Sequence, residues 1–247
     1  MIAFVNPLAY LAAIAVAELL TVFLDPFWGI TAYLFVLALL IGNATLTRTQ
    51  PIHRLYLALG LVPLIRIVSL SMPLSRVTLL YWYPIMAIPI ALGVLGVAAA
   101  LRMKPSDLGL TVKGIGLQIL VALSGIAIGL ADYVILKPQP LIEVLTLHSV
   151  VVPALILLVA TGLVEELVFR GVIQRAAETV GAWGWIYVAV MSSVLQIGHH
   201  SIFHWLLALG MAMLYGWVVK RSGSIVGVAL SHGIINVCLY LLFPLVF

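Results

Sequence analysis

Residues 164–171 read VEELVFRG, two adjacent glutamates and an arginine inside a stretch otherwise apolar enough to lie in a membrane. The chain has only eight carboxylates in 247 residues. An ionisable group within a span is costly to keep there and marks a candidate functional position. At about 100° per residue, Glu166 and Arg170 stand i,i+4 on one helix face and are placed to pair. Glu165 is rotated off that face and keeps the freer carboxylate. A carboxylate not committed to a cation can take a proton from water, which is general-base work. The competing reading of this stretch is a wholly structural Glu–Arg cluster at a helix end.

Two further stretches supply complementary groups. In SSVLQIGHHSIFHW, His199 and His200 close one apolar segment and His204 opens the next; in LSHGIINV, His232 and Asn236 again stand i,i+4. A single membrane histidine is ordinarily a packing or interface residue. A carboxylate, two imidazoles and an asparagine on separate helices offer more. They comprise a base, an orienting or proton-carrying ring, and donors for a developing oxyanion. Outside this set, Glu18 and Arg66 also fall within apolar segments. They read as a pair bridging the first and third helices, or as Arg66 snorkelling to the interface. Asp132 stands alone near a helix end.

The elements that must position these groups are membrane helices. The chain is 64% hydrophobic and 8% charged, with a mean hydropathy of +1.26, where soluble domains carry about 25% charge. Nine apolar segments are expected at 3–24, 28–46, 55–72, 78–101, 114–136, 149–176, 183–199, 203–219 and 224–245, most of them near the 20 or so residues that a span needs. If the seventh and eighth merge at HHSIFH, the number falls to eight. The expected fold is therefore an all-α polytopic bundle, one membrane domain over 1–247. Helices in 1–136 flank a candidate catalytic core at 149–245. Pro26, Pro51, Pro73, Pro105 and Pro138 fall at or near the breaks. The N-terminus lacks the basic start of a signal peptide and reads as the first span. With nine spans, Arg48, Arg54, Arg102, Lys104, Lys113, Arg175, Lys220 and Arg221 share one side, against Arg76 and Lys137 on the other. By the positive-inside rule, the N-terminus is then cytoplasmic. The net charge of +4 is explained by this orientation, and no nucleic-acid partner is expected. Cys238 is the sole cysteine, so no internal disulfide forms.

At this point the sequence resembles a known family. EELVFR (Glu165 to Arg170) is similar to the EExxxR motif of the CPBP family, the CAAX proteases and bacteriocin-processing enzymes also called Abi proteins. LQIGH (Leu195 to His199) resembles its FxxxH motif with Leu195 in place of the aromatic, a change that should alter a pocket wall more than the chemistry. Gln196 and His200 share that spacing, and His199 is the preferred match. HGIIN (His232 to Asn236) fits HxxxN in full. The resemblance covers about 150–245 and implies a polytopic intramembrane endopeptidase. It implies that Glu165 activates the attacking water with help from His199, that His232 and Asn236 stabilise the oxyanion, and that Glu166 and Arg170 support them. The implied substrate is a membrane-associated or lipidated protein or peptide. The implied site is an integral membrane location with the active centre toward the cytoplasm, and the absence of an organelle signal suits a prokaryotic plasma membrane.

Other chemistries compete. Glu165, His199 and His232 would be the ligands of a catalytic zinc, which needs three protein ligands and an open position. A ligand cannot also be the free base, and no HExxH helix is present, so a metal-free site without cofactor is preferred. No G-x-S-x-G places a serine nucleophile, no second aspartate joins Asp132, and Cys238 lies off the face of His232 and reads as a small hydrophobe. A proton-coupled transporter would continue its ionisable groups across the membrane and often shows inverted repeats; here the groups cluster in the last four segments and no repeat is found. An inactive membrane scaffold is the third reading.

Overall fold

A computed structural model describes residues 6–72 and 77–247; Pro73 and Arg76 lie outside the described residues. Among the described residues nine helices follow one another: α1 Pro7–Phe23, α2 Pro26–Leu46, α3 Ile52–Ser71, α4 Leu79–Ala100, α5 Ile115–Leu136, α6 Leu147–Glu178, α7 Gly184–Val194, α8 Ile202–Ser222 and α9 Val226–Val246. No strand occurs among the described residues. Seven of these helices are long and apolar enough to cross a membrane, and α1 is a shorter apolar helix of 17 residues. The fold is the expected polytopic helix bundle.

The starts and stops follow local chemistry. Pro7 and Pro26 begin helices where a missing N–H costs nothing, behind Asn6 and Asp25 side chains that accept from the Leu8 and Phe27 amides. Thr146 and Ser149 form a reciprocal capping box at the start of α6. Large apolar side chains that would be anomalous on a soluble surface, among them Phe35, Ile88, Leu120 and Leu155, are exposed. They face the hydrocarbon that a bilayer supplies.

Four contacts show which ends meet. Arg54 donates to the Leu101 carbonyl, Ile225 N–H to Gly109, Lys220 Nζ to Ala182, and Tyr187 Oη to Pro7. The start of α1 and the connections near 47–51, 101–114, 179–183 and 223–225 therefore gather at one end, with all eight basic residues expected there. At the opposite end Phe23 meets His200, Leu141 N–H bonds Tyr240, and Tyr133 meets Phe247; Lys137 lies here.

The seventh segment departs from expectation. It was expected as a helix through 183–199, but α7 stops at Val194 and gives way to a 3-10 turn at Ile197–His199, with His200 left-handed at φ 53°. Eleven helical residues rise only about 16 Å, so the chain completes this pass in irregular backbone. Such backbone at membrane depth is tolerated where protein or a cavity surrounds it.

Candidate active site

Helix α6 carries the VEE triplet between two π-helical stretches, Leu158–Leu163 and Leu167–Ile173. Such widened turns recur at functional sites because they shift side chains out of the α-helical phase. Gly162 lets α6 close on α9: a Cβ there would come within 2.5 Å of the Ala229 carbonyl oxygen. On the other flank of α9, Gly125 of α5 would meet the Ser231 carbonyl at 2.5 Å, the close approach that small residues allow between membrane helices. Three helices are thus drawn together around His232.

Glu166 is buried and engaged through Oε1. It pairs with Arg170 at 3.3 Å, and its Oε1 lies 2.9 Å from His232 Nδ1. Arg170 is buried as well, donates to the Ala212 carbonyl of α8, and lies over the Phe169 and Tyr215 rings. One turn on, Gln174 bonds the Gly216 carbonyl. The Arg170 cation therefore ties α6 to α8 while Glu166 ties α6 to α9. Among the described residues Glu165 has no hydrogen-bond partner; its side chain is 38% exposed, and its Oε2 lies 3.9 Å from His232 Nε2. The two carboxylates of one dipeptide have opposite environments.

Two adjoining cavities, about 350 and 170 Å³, share Glu165, His199 and His232 in their walls. Leu195 lines the larger, so the position that departs from the aromatic pattern does face the pocket. Asn236 lines the smaller and donates to Thr161 Oγ1 at 2.8 Å; Thr161 in turn donates to the Leu157 carbonyl. Thr161 is one π-helical stretch before Glu165, and nothing in its local sequence marks it. His199 is exposed and lines both cavities, while His200 is exposed against Phe23 and lines neither. The preferred register is the one that faces the site.

The structure adds residues from before 147. Arg66 of α3 and Tyr83 of α4 line the larger cavity. Glu18 is fully buried, ion-paired to Arg66, and accepts from Tyr33 Oη at 2.6 Å, so the bridging-pair expectation holds and Arg66 does not snorkel free. Asp132 is not alone: its Oδ1 lies 2.7 Å from His204 Nδ1, and both line the smaller cavity. A contact across 72 positions leaves no local sequence signal. Cys238 is buried, with its Cβ against Gly129, as a small packing residue would be.

Zinc needs three ligands converging on one point. Among the described residues no group of three His, Cys, Asp or Glu side chains is arranged to hold a metal ion. Glu165, His199 and His232 share walls without that convergence.

What fold and site define together is a polytopic membrane protein with two adjoining internal cavities, whose walls carry a carboxylate, two histidines and, in the smaller, an asparagine. Residues 147–238 match the family model described as type II CAAX prenyl endopeptidase Rce1-like. The matched residues include all three motif stretches, and the match supports a CAAX-type intramembrane endopeptidase. No curated protein and no solved structure matches the chain.

Proposed function

We propose that this protein is an intramembrane endopeptidase in which Glu165 takes a proton from water as that water attacks the scissile carbonyl, with His199 assisting. His232 and Asn236 then hold the oxyanion of the tetrahedral intermediate. Collapse of that intermediate breaks the C–N bond, and the proton gathered by the base goes to the leaving amine. The observation that carries this reading is the division of labour within one dipeptide. Glu166 is committed to Arg170 and His232, whereas Glu165 is unbonded in the wall of both cavities, 3.9 Å from the same imidazole.

The supporting geometry is consistent with each role. With Glu166 ionised against Arg170, His232 Nδ1 donates to it, which fixes the ring and turns Nε2 toward the reaction space; the oxyanion role requires the ring protonated on both nitrogens, so that Nε2–H can donate. Thr161 occupies one N–H of the Asn236 amide, so the other remains to donate. An almost wholly apolar groove of about 400 Å³ lies between α4 and α6 and shares Ala87 and Ala160 with the larger cavity. A lipidated substrate would lay its chain there and present its peptide to Glu165. The basic end would face the cytoplasm.

The deciding experiment is cleavage of prenylated CAAX-type peptides by the purified full chain in liposomes, comparing wild type with Glu165→Gln, each with and without chelator. Cleavage that survives chelation and vanishes in Glu165→Gln is the expected result. Cleavage retained by the variant would overturn the role of Glu165. Loss on chelation with recovery on zinc would instead make Glu165, His199 and His232 metal ligands.

A further inference from the structure

His199 sits in a three-residue 3-10 turn followed by a left-handed residue, with no regular helix to orient it. Its ring makes no hydrogen bond, yet a proton-handling group must be held to within about 0.5 Å and 10–20° of its working geometry. Its ring meets the His204 ring, with centroids 4.3 Å apart and planes at 53°. His204 is itself well fixed. It lies 8% exposed in the first turn of α8, its backbone N–H bonds Ser201 Oγ, and its Nδ1 lies 2.7 Å from the buried Asp132 carboxylate of α5. A carboxylate oxygen can only accept there, so Nδ1 carries the proton and the tautomer is set. His204 Nε2 is buried without a hydrogen-bond partner.

We infer that Asp132 and His204 are positioning residues for His199, a carboxylate–imidazole pair that fixes the orientation of the catalytic-site ring from outside the motif set. The logic is that of the outer partners that orient functional histidines, whose loss typically costs about 10- to 100-fold. The inference rests on the proposed function, and it extends the working unit to α5, because Asp132 precedes the residues matched by the family model. Asp132 and His204 line the smaller cavity beside His199, and Asp132 acts on that ring through His204, which it bonds on one side and which meets His199 on the other.

The test is a set of cycles on the full chain in liposomes with the same prenylated peptide. Asp132→Asn keeps the size of the side chain and removes its charge; His204→Phe keeps a ring for stacking and removes Nδ1. Each is expected to lower kcat about 10- to 100-fold with KM within twofold, and the double variant should fall no lower than either alone. In a His199→Ala background, Asp132→Asn should cost nothing further, read by single-turnover cleavage. An equal loss in that background would overturn the inference, as would wild-type kcat in both single variants. Should Asp132→Asn fail to insert, His204→Phe carries the same cycle alone. Glu165→Gln in the same panel separates the two readings: its activity bears on the base, and the Asp132 cycle bears only on His199.

Discussion

Two glutamate–arginine pairs among the described residues have a buried carboxylate, and they differ in what is left over. In the N-terminal helices, Glu18 gives both oxygens to Arg66 and receives the Tyr33 hydroxyl besides. Nothing on that carboxylate remains to react. In the C-terminal helices, Glu166 binds Arg170 and His232 through Oε1, while among the described residues its buried Oε2 has no hydrogen-bond partner and the adjacent Glu165 has only the 3.9 Å approach of His232 Nε2. Burial alone therefore does not mark a reactive carboxylate; incomplete pairing beside a cavity does. Saturation makes the first pair a brace, and the shortage of partners makes the second the edge of a site.

The comparison can be broken at several points. Glu165→Gln carries the largest effect: a lost general base is worth about 10²–10⁴-fold, read as kcat on the prenylated peptide, with the thermal unfolding midpoint unchanged. A variant that melts early would place Glu165 with the braces instead. Arg170→Met comes next, because it strands Glu166 in a buried setting and should cost about 3–5 kcal/mol of stability as well as activity. The two pairs should then part company when both partners are removed. A Glu18→Leu, Arg66→Leu double variant should recover most of the stability lost by either single change, since hydrophobic replacement of a buried pair is often neutral or better. The matching Glu166, Arg170 double variant should stay inactive whatever its melting point. Recovery of cleavage there would erase the distinction. The smallest effect is expected from Thr161→Val, which removes one hydrogen bond from Asn236, about 0.5–1.5 kcal/mol or a rate loss of a few-fold to tenfold.

Much of this was legible in the sequence because hydropathy is a summed signal. The expected segment 149–176 appears as Leu147–Glu178 and 114–136 as Ile115–Leu136, since twenty apolar residues average out any single exception. The Glu166–Arg170 pair was legible because i,i+4 spacing is local. The end of α7 was not: residues 195–199 read LQIGH, with no proline to mark a stop, yet the helix ends at Val194 and a 3-10 turn follows. Asp132 was misread as solitary for a related reason. Its partner lies on another helix, and a single carboxylate near a helix end resembles many solvated ones. Thr161 was silent because its hydroxyl can satisfy the preceding turn without help, as it does at the Leu157 carbonyl.

The π-helical stretches on either side of Glu165 carry a consequence for the whole of α6. Its first turns present Val152 and Leu155 to lipid, while its later turns must aim Glu166 at α9 and Gln174 at α8. A helix of uniform pitch ties those directions together; one extra residue in a turn resets the phase by about 100°. The membrane-facing half and the cavity-facing half can therefore be set separately, like two gears joined by a slipped tooth. Deleting Val159 to restore the uniform pitch would leave either the lipid face or the carboxylate facing the wrong way.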